Sequence, residues 1–134
     1  MNTSDAKAVV RRYVFHSRQY LENGLSTLQK GEAGKAGELL WGSVAEALQA
    51  TAAYMNKPVR THRDLVNFAI QLGRDLKDES IQVDMATVQS LHHNFYDVTQ
   101  EPLDVAIVVP IVQRLVAKLL GLIPPEAYTE SASV

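Results

Sequence analysis

The strongest candidates for chemistry are two adjacent histidines in the last third of the chain, His92 and His93. Asp97 follows His93 by four residues, so on a helix its carboxylate can reach the imidazole and orient it. Tyr96 likewise follows His92 by four residues, and Asn94 lies between the two histidines and Tyr96. These residue types predict a general base or a polar binding patch. A structural role, with one imidazole half buried and its neighbour solvated, stays open as the alternative.

A second candidate surface follows one stripe of the first predicted helix, on its polar side. Lys7, Arg11 and Arg18 share this stripe with Phe15. An exposed aromatic ring among cations can stack on an unpaired nucleic-acid base. Arginine and aromatic residues are also enriched in protein interfaces, so a subunit contact is a second interpretation of this basic and aromatic face. A plain solvated surface is the third.

Residue type and spacing exclude several classes of site. The chain has no cysteine, which rules out a disulfide scaffold and a cysteine-ligated zinc site. No glutamate lies three residues before any histidine, the spacing that carboxylate-bridged metal sites in helical bundles use, so we expect no metal ion and no cofactor. The glycine-rich stretch 31–37 is not a phosphate loop, because Ala36 stands where that motif needs serine or threonine.

The composition is that of one ordinary globular domain. The chain has 134 residues, of which 46% are hydrophobic and 21% charged, and this length supports a single buried core. A net charge of -2 provides no overall positive field that would attract nucleic acid. The sequence shows no secretory signal pattern and no apolar run near the ~20 residues of a membrane span, so we expect a cytoplasmic protein without membrane contact.

Apolar residues recur at helical spacing along the chain, which predicts an all-α domain of about five helices over residues 1–123. A double proline starts a tail, 124–134, that we expect to be flexible. The first helix is predicted from about Ser4, its N-cap, to about Gln29, and the second from about Glu32 to Met55. Since apolar residues cover most of the circumference of the second helix, we expect it to be the central one.

Capping residues predict the starts of the last three helices. Thr61 and Asp64 have the spacing of a capping box at the start of the third helix. Asp84 can cap the fourth helix, which should end near Asp97, and Asp104 can cap the fifth.

The fifth predicted helix reaches about Leu122 and has two unusual features. Pro110 lies within it, where a proline either kinks the helix or marks its true start. Apolar side chains between Val105 and Leu120 leave little polar surface on this helix, so we expect a partner chain to cover part of it.

Two parts of the sequence resemble a known family. Segments 20–25, 30–32 and 35–48 resemble the helical hairpin of the archaeal paralogous-repeat (PaREP-type) proteins. Segment 91–96, Leu-His-His-Asn-Phe-Tyr, resembles the Leu-His-x-Asn-Phe-Tyr signature of the same group. These proteins belong to the wider HEPN-like set (higher eukaryote and prokaryote nucleotide-binding). The resemblance implies a HEPN-like, up-and-down antiparallel bundle of five helices that usually dimerises.

The resemblance also implies a function, a homodimeric protein that contacts RNA or a nucleotide in a defence or toxin–antitoxin setting. Ribonuclease members of the HEPN set use an arginine and, roughly four to six residues later, a histidine. No arginine lies at those offsets before His92 or His93. A divergent, metal-independent ribonuclease, with one of these histidines as general base and Arg63 on the phosphate, is therefore the second hypothesis. A helical protein–protein interaction module is the third.

Overall fold

The structure, a computed structural model, describes residues 3–95 and 101–129, with side chains for 5–92 and 101–129. Five α-helices make up most of these residues, and no strand occurs among them. The helices are α1 Thr3–Gln29, α2 Ala33–Tyr54, α3 His62–Asp75, α4 Glu79–Phe95 and α5 Pro102–Gly121, followed by a short 3-10 helix, Pro125–Ala127. The predicted all-α class is confirmed.

The helices α1 and α2 form an antiparallel hairpin. Gly31 closes α1 in the left-handed region, with a φ of 81°, which glycine adopts without steric cost. Halfway along the pair, the Ser17 hydroxyl donates a buried hydrogen bond of 2.7 Å to the carbonyl of Ser43. Gly24 lies directly against Leu40, since a Cβ at Gly24 would be 2.9 Å from the Leu40 side chain. Small residues therefore set how closely the two helices approach.

The second helix is the central one, as its wide apolar surface predicts. It packs against every other α-helix of the bundle. Its side chains form the middle of one continuous core to which α3, α4 and α5 also contribute. The largest fully buried side chains of this core are Leu40, Val44, Leu48, Ile81, Val88, Leu91, Val105, Val112, Leu115 and Leu119.

The capping box predicted for α3 is confirmed. The Thr61 hydroxyl accepts a hydrogen bond of 3.0 Å from the N–H of Asp64. The Asp64 carboxylate in turn accepts from the N–H groups of Arg60 and Thr61. These bonds, that from Arg60 first, lower the pKa of Asp64, because they stabilise its charged form. The start of α3 is thus fixed by its own sequence.

Three other predicted caps are wrong. Ser4 lies inside helix α1, which already includes Thr3, the first residue that the structure describes. Helix α4 begins at Glu79, five residues before Asp84, whose carboxylate instead accepts hydrogen bonds from Arg114 of α5. Asp104 lies inside the first turn of α5, where its carboxylate accepts from the N–H of Glu101, the actual N-cap.

Residue Pro110 lies in the middle of α5, which runs without a break from Pro102 to Gly121. The alternative that it marks the start of the last helix is therefore wrong. After α5 the chain turns back toward α1: Ile123 is buried against Val10 and Val14, and Tyr128 packs on the same cluster. The structure thus describes residues 124–129 of the tail that we expected to be flexible. Residues 130–134 lie outside the described chain.

None of the helices in segments 3–95 and 101–129 combines the length and the apolar composition that crossing a membrane requires.

Candidate functional site

Residue His92 takes part in a compact group of three rings from three helices. Trp41 comes from α2, His62 is the first residue of α3, and His92 lies in the last turns of α4. The ring centroid of His92 is 5.5 Å from that of Trp41 and 6.1 Å from that of His62, with interplanar angles of 28° and 26°. Trp41 and His62 are 5.6 Å apart. We call Trp41, His62 and His92 the ring cluster.

A carboxylate orients His92 within this cluster. The oxygens of Glu38 lie 3.0 Å and 3.1 Å from Nδ1 of His92, and both side chains are partly exposed. An ionised carboxylate only accepts hydrogen bonds, so Nδ1 is the nitrogen that carries the proton in this contact. Glu38 thereby fixes both the tautomer and the direction of the imidazole.

The ring cluster runs from the core to the surface. Trp41 is buried, with 7% of its surface exposed, whereas His62 is exposed. The side-chain NH2 group of Gln89 lies 3.4 Å from Nε2 of His62, and because an NH2 group of an amide can only donate, Nε2 of His62 is the acceptor in this contact. His62 is therefore the ring that an approaching ligand meets first.

Positive charge surrounds His62 along the chain. Lys57, Arg60 and Arg63 are all exposed and lie within five residues of it. The nearest carboxylate in this segment, Asp64, already accepts two backbone hydrogen bonds in the α3 cap. A protein with a net charge of -2 thus carries a local basic segment beside its exposed imidazole, and arginine is suited to binding phosphate.

A groove of about 350 Å³ borders the ring cluster between α1 and α2. Trp41 lines one part of it, so the groove and the ring cluster share this side chain, and Glu38, which orients His92, lines the groove beside it. Tyr20 of α1 forms part of the opposite wall, where it lies close to the backbone of Gly42. A Cβ at Gly42 would come within 3.3 Å of the Tyr20 ring, so glycine permits this contact.

Another groove residue, Glu46, is set apart by its burial. One of its carboxylate oxygens is inaccessible to solvent and has no hydrogen-bond partner in the described chain. This burial raises the pKa of Glu46, while electrostatic interactions with His16 and Arg12 act in the opposite direction. Glu46 consequently loses its proton less readily than an exposed glutamate.

The structure brings only part of the predicted histidine patch into view. His92 lies in the ring cluster, and the backbones of His93 and Asn94 continue α4. The side chains of these two residues, and the whole of Tyr96 and Asp97, lie outside what the structure describes. The contacts predicted between His93 and Asp97 and between His92 and Tyr96 therefore stay predictions.

The predicted basic and aromatic face of α1 is partly occupied by the C-terminal segment. Phe15 is 61% exposed and Lys7 is half buried. A guanidinium nitrogen of Arg11 donates to the backbone carbonyl of Tyr128, and one of Arg18 donates to its hydroxyl. The Arg18 guanidinium also lies 6.0 Å from the centre of the Tyr128 ring.

Sequence reasoning missed three residues of this site, Glu38, Trp41 and His62. The first two are three residues apart on α2, a spacing that makes them neighbours on a helix surface. A glutamate beside the chain's single tryptophan was thus a usable signal. The contact of Glu38 with His92 spans 54 residues and leaves no local pattern. Within the described part of the chain, no group of three or more His, Asp or Glu side chains could hold a metal ion.

Fold and site together define a small all-α domain with a cluster of imidazole and indole rings at its surface. Residues 12–116 match the model of the Archaeal PaREP1/PaREP8 family, a span that contains the whole ring cluster. The chain therefore belongs to this family, and the resemblance to the archaeal paralogous-repeat group is confirmed. Neither the curated proteins nor the solved structures contain a match to this chain.

Proposed function

We propose that this protein is a HEPN-like, homodimeric binding protein that holds RNA or a nucleotide at the ring cluster, in a defence or toxin–antitoxin setting. The observation that carries the proposal is the arrangement of Trp41, His62 and His92, whose centroids lie within 6.1 Å of one another and which end at an exposed imidazole. A base splayed out of a single strand stacks on such rings.

The charge around the ring cluster supports the same ligand. Phosphate groups need cations near the stacked base, and Arg60 and Arg63 flank His62 in the chain. The local charge therefore favours an anionic ligand, although the overall charge does not.

Because Trp41 is the only tryptophan, its fluorescence reports directly on binding. We expect single-stranded RNA to change this fluorescence, and His62→Ala to weaken the affinity about tenfold, since stacking on one ring contributes ~1–3 kcal/mol per base. Arg63→Ala should weaken the affinity and reduce the slope of log affinity against log salt by about one. Arg74→Ala, at the other end of α3 and also exposed, is the matched control.

An unchanged affinity in both His62→Ala and Arg63→Ala would place the binding elsewhere. If the wild-type protein binds no RNA and no nucleotide at all, the proposed function is wrong, and the third hypothesis, a helical interaction module, is favoured instead.

The second candidate function is a divergent, metal-independent ribonuclease, and the contact between Glu38 and His92 favours it. A carboxylate that orients an imidazole supports a general base acting on a 2′-hydroxyl, with Arg63 on the phosphate. The RNA recovered from the binding experiment decides between the two functions. Intact RNA supports binding alone, whereas cleavage that His92→Ala or His93→Ala abolishes supports the enzyme.

The homodimer has its own test on α5. Leu103 and Ile107 are one turn apart on this helix and are 71% and 64% exposed, which forms an apolar stripe of the kind that a second subunit covers. We expect the wild-type protein to sediment as a dimer at tens of micromolar, and Ile107→Glu to sediment as a monomer. Val83→Glu, at a similarly exposed apolar position of α4, should stay dimeric. A monomeric wild-type protein would contradict the dimer.

A further inference from the structure

A second set of rings lies on α1, on the other side of the groove from the ring cluster. The centroid of His16 is 6.0 Å from that of Phe15 and 6.4 Å from that of Tyr20. Phe15 is largely exposed, and Tyr20 is exposed over 36% of its surface. We call Phe15, His16 and Tyr20 the α1 rings.

The groove connects the two sets of rings. Tyr20 and Trp41 both line it, so the α1 rings end where the ring cluster begins. Rings thus follow one another from Phe15 of α1, across the groove, to His62 of α3. A single nucleotide would occupy only one end of this path.

The distances between the ring centroids limit the form of nucleic acid that can bind. Within both sets the distances between consecutive centroids lie between 5.5 Å and 6.4 Å. Stacked bases of a duplex strand are separated by about 3.4 Å, close to half of this distance. Because Trp41 is buried, bases can stack only on the exposed rings, Phe15 and Tyr20 on one side of the groove and His62 on the other, and only a strand with unpaired, unstacked bases can do so.

Cations stand at the two ends of the path and carboxylates in the middle. Arg12 and Arg18 are exposed close to Phe15 along α1, and Arg60 and Arg63 lie beside His62. The groove itself carries Glu38 and Glu46. Such a distribution suits a strand whose phosphates are held at both ends while its bases cover the groove.

We propose that the ligand of this protein is an extended single strand of RNA, about five nucleotides or longer, that crosses the groove and contacts both the ring cluster and the α1 rings. This inference rests on the proposed function, because it assigns a length and a path to the strand bound at the ring cluster. The length corresponds to the lower part of the range of ~4–16 nucleotides that single-strand binding grooves cover.

A length series of single-stranded RNA tests the inference. A labelled RNA of about ten nucleotides should bind the wild-type protein at least tenfold more tightly than a dinucleotide, since each added stacked base contributes ~1–3 kcal/mol. Phe15→Ala should weaken binding of the longer RNA about tenfold and leave the dinucleotide affinity unchanged. Phe15 is largely exposed, so this variant should fold, and Val83→Ala provides the exposed apolar control.

The outcomes separate this inference from the proposed function. Equal affinity for the dinucleotide and the longer RNA, or a longer RNA whose affinity does not change in Phe15→Ala, overturns the extended path but leaves binding at the ring cluster in place. Equally tight binding of the same RNA as a duplex also overturns it. Failure of every RNA to bind the wild-type protein removes both proposals.

Discussion

Replacing Leu40 by alanine is expected to lower the free energy of unfolding by about 3 kcal/mol, because truncating a buried leucine removes apolar contacts and leaves a cavity. Leu40 is fully buried in the central helix, and its side chain lies against the backbone of α1 at Gly24. No side chain at Gly24 can move in to fill the space. Urea unfolding followed by circular dichroism measures the loss, which is large beside a total stability of ~5–15 kcal/mol.

A partner substitution at Gly24 tests this explanation. Gly24→Val should itself destabilise the protein by about 1–3 kcal/mol, since the new side chain enters the space that Leu40 occupies. Combined with Leu40→Ala, the same valine should fill part of the cavity, so the double variant should be more stable than the sum of the two single effects. Leu76→Ala, at an exposed position, is the control. Strict additivity would show that the two residues do not pack against each other.

The arrangement of helices could be predicted because it is encoded in long periodic patterns. Apolar residues cover most of α2, and that alone placed it at the centre. Helix starts depend on a few local contacts, so they are harder to predict, as the start of α4 shows. Asp78, within the polar run before the helix, accepts from the N–H of Ser80, whereas the cap predicted at Asp84 pairs with another helix. A capping preference does not show where a carboxylate points.

The candidate site was only partly predictable for a related reason. The type and position of His92 indicated a functional group, yet its partners come from α2 and α3. Glu38 and His92 meet only because the register of α2 against α4 places them side by side. His62 has a local role as the first residue after a helix cap, so nothing in its neighbourhood in the sequence indicates a ring contact.

A second large effect on stability is expected at the ion pair of Asp84 and Arg114, in which Asp84 pairs with α5 instead of capping α4. Arg114 donates two hydrogen bonds, of 2.9 Å and 3.2 Å, to the carboxylate of Asp84. The Asp84 side chain is only 7% exposed, whereas that of Arg114 is 57% exposed. These bonds raise the pKa of Arg114, since they favour its charged form. Arg114→Met should lower the midpoint of thermal unfolding by several degrees, because it leaves the buried carboxylate of Asp84 without this partner.

Because the two partners are unequally buried, the two single substitutions should differ in how much they destabilise the protein. Asp84→Leu should cost less than Arg114→Met, because the guanidinium that it leaves behind can turn toward water. The double variant Asp84→Leu with Arg114→Met should recover most of the loss, since apolar pairs often replace buried ion pairs without penalty. Thermal unfolding of the three variants measures the order, with Arg74→Met as the control for removing an exposed arginine. A larger loss of stability in Asp84→Leu than in Arg114→Met would contradict this prediction. The carboxylate would then stabilise the packing of the helices itself, instead of being a buried charge that needs its arginine.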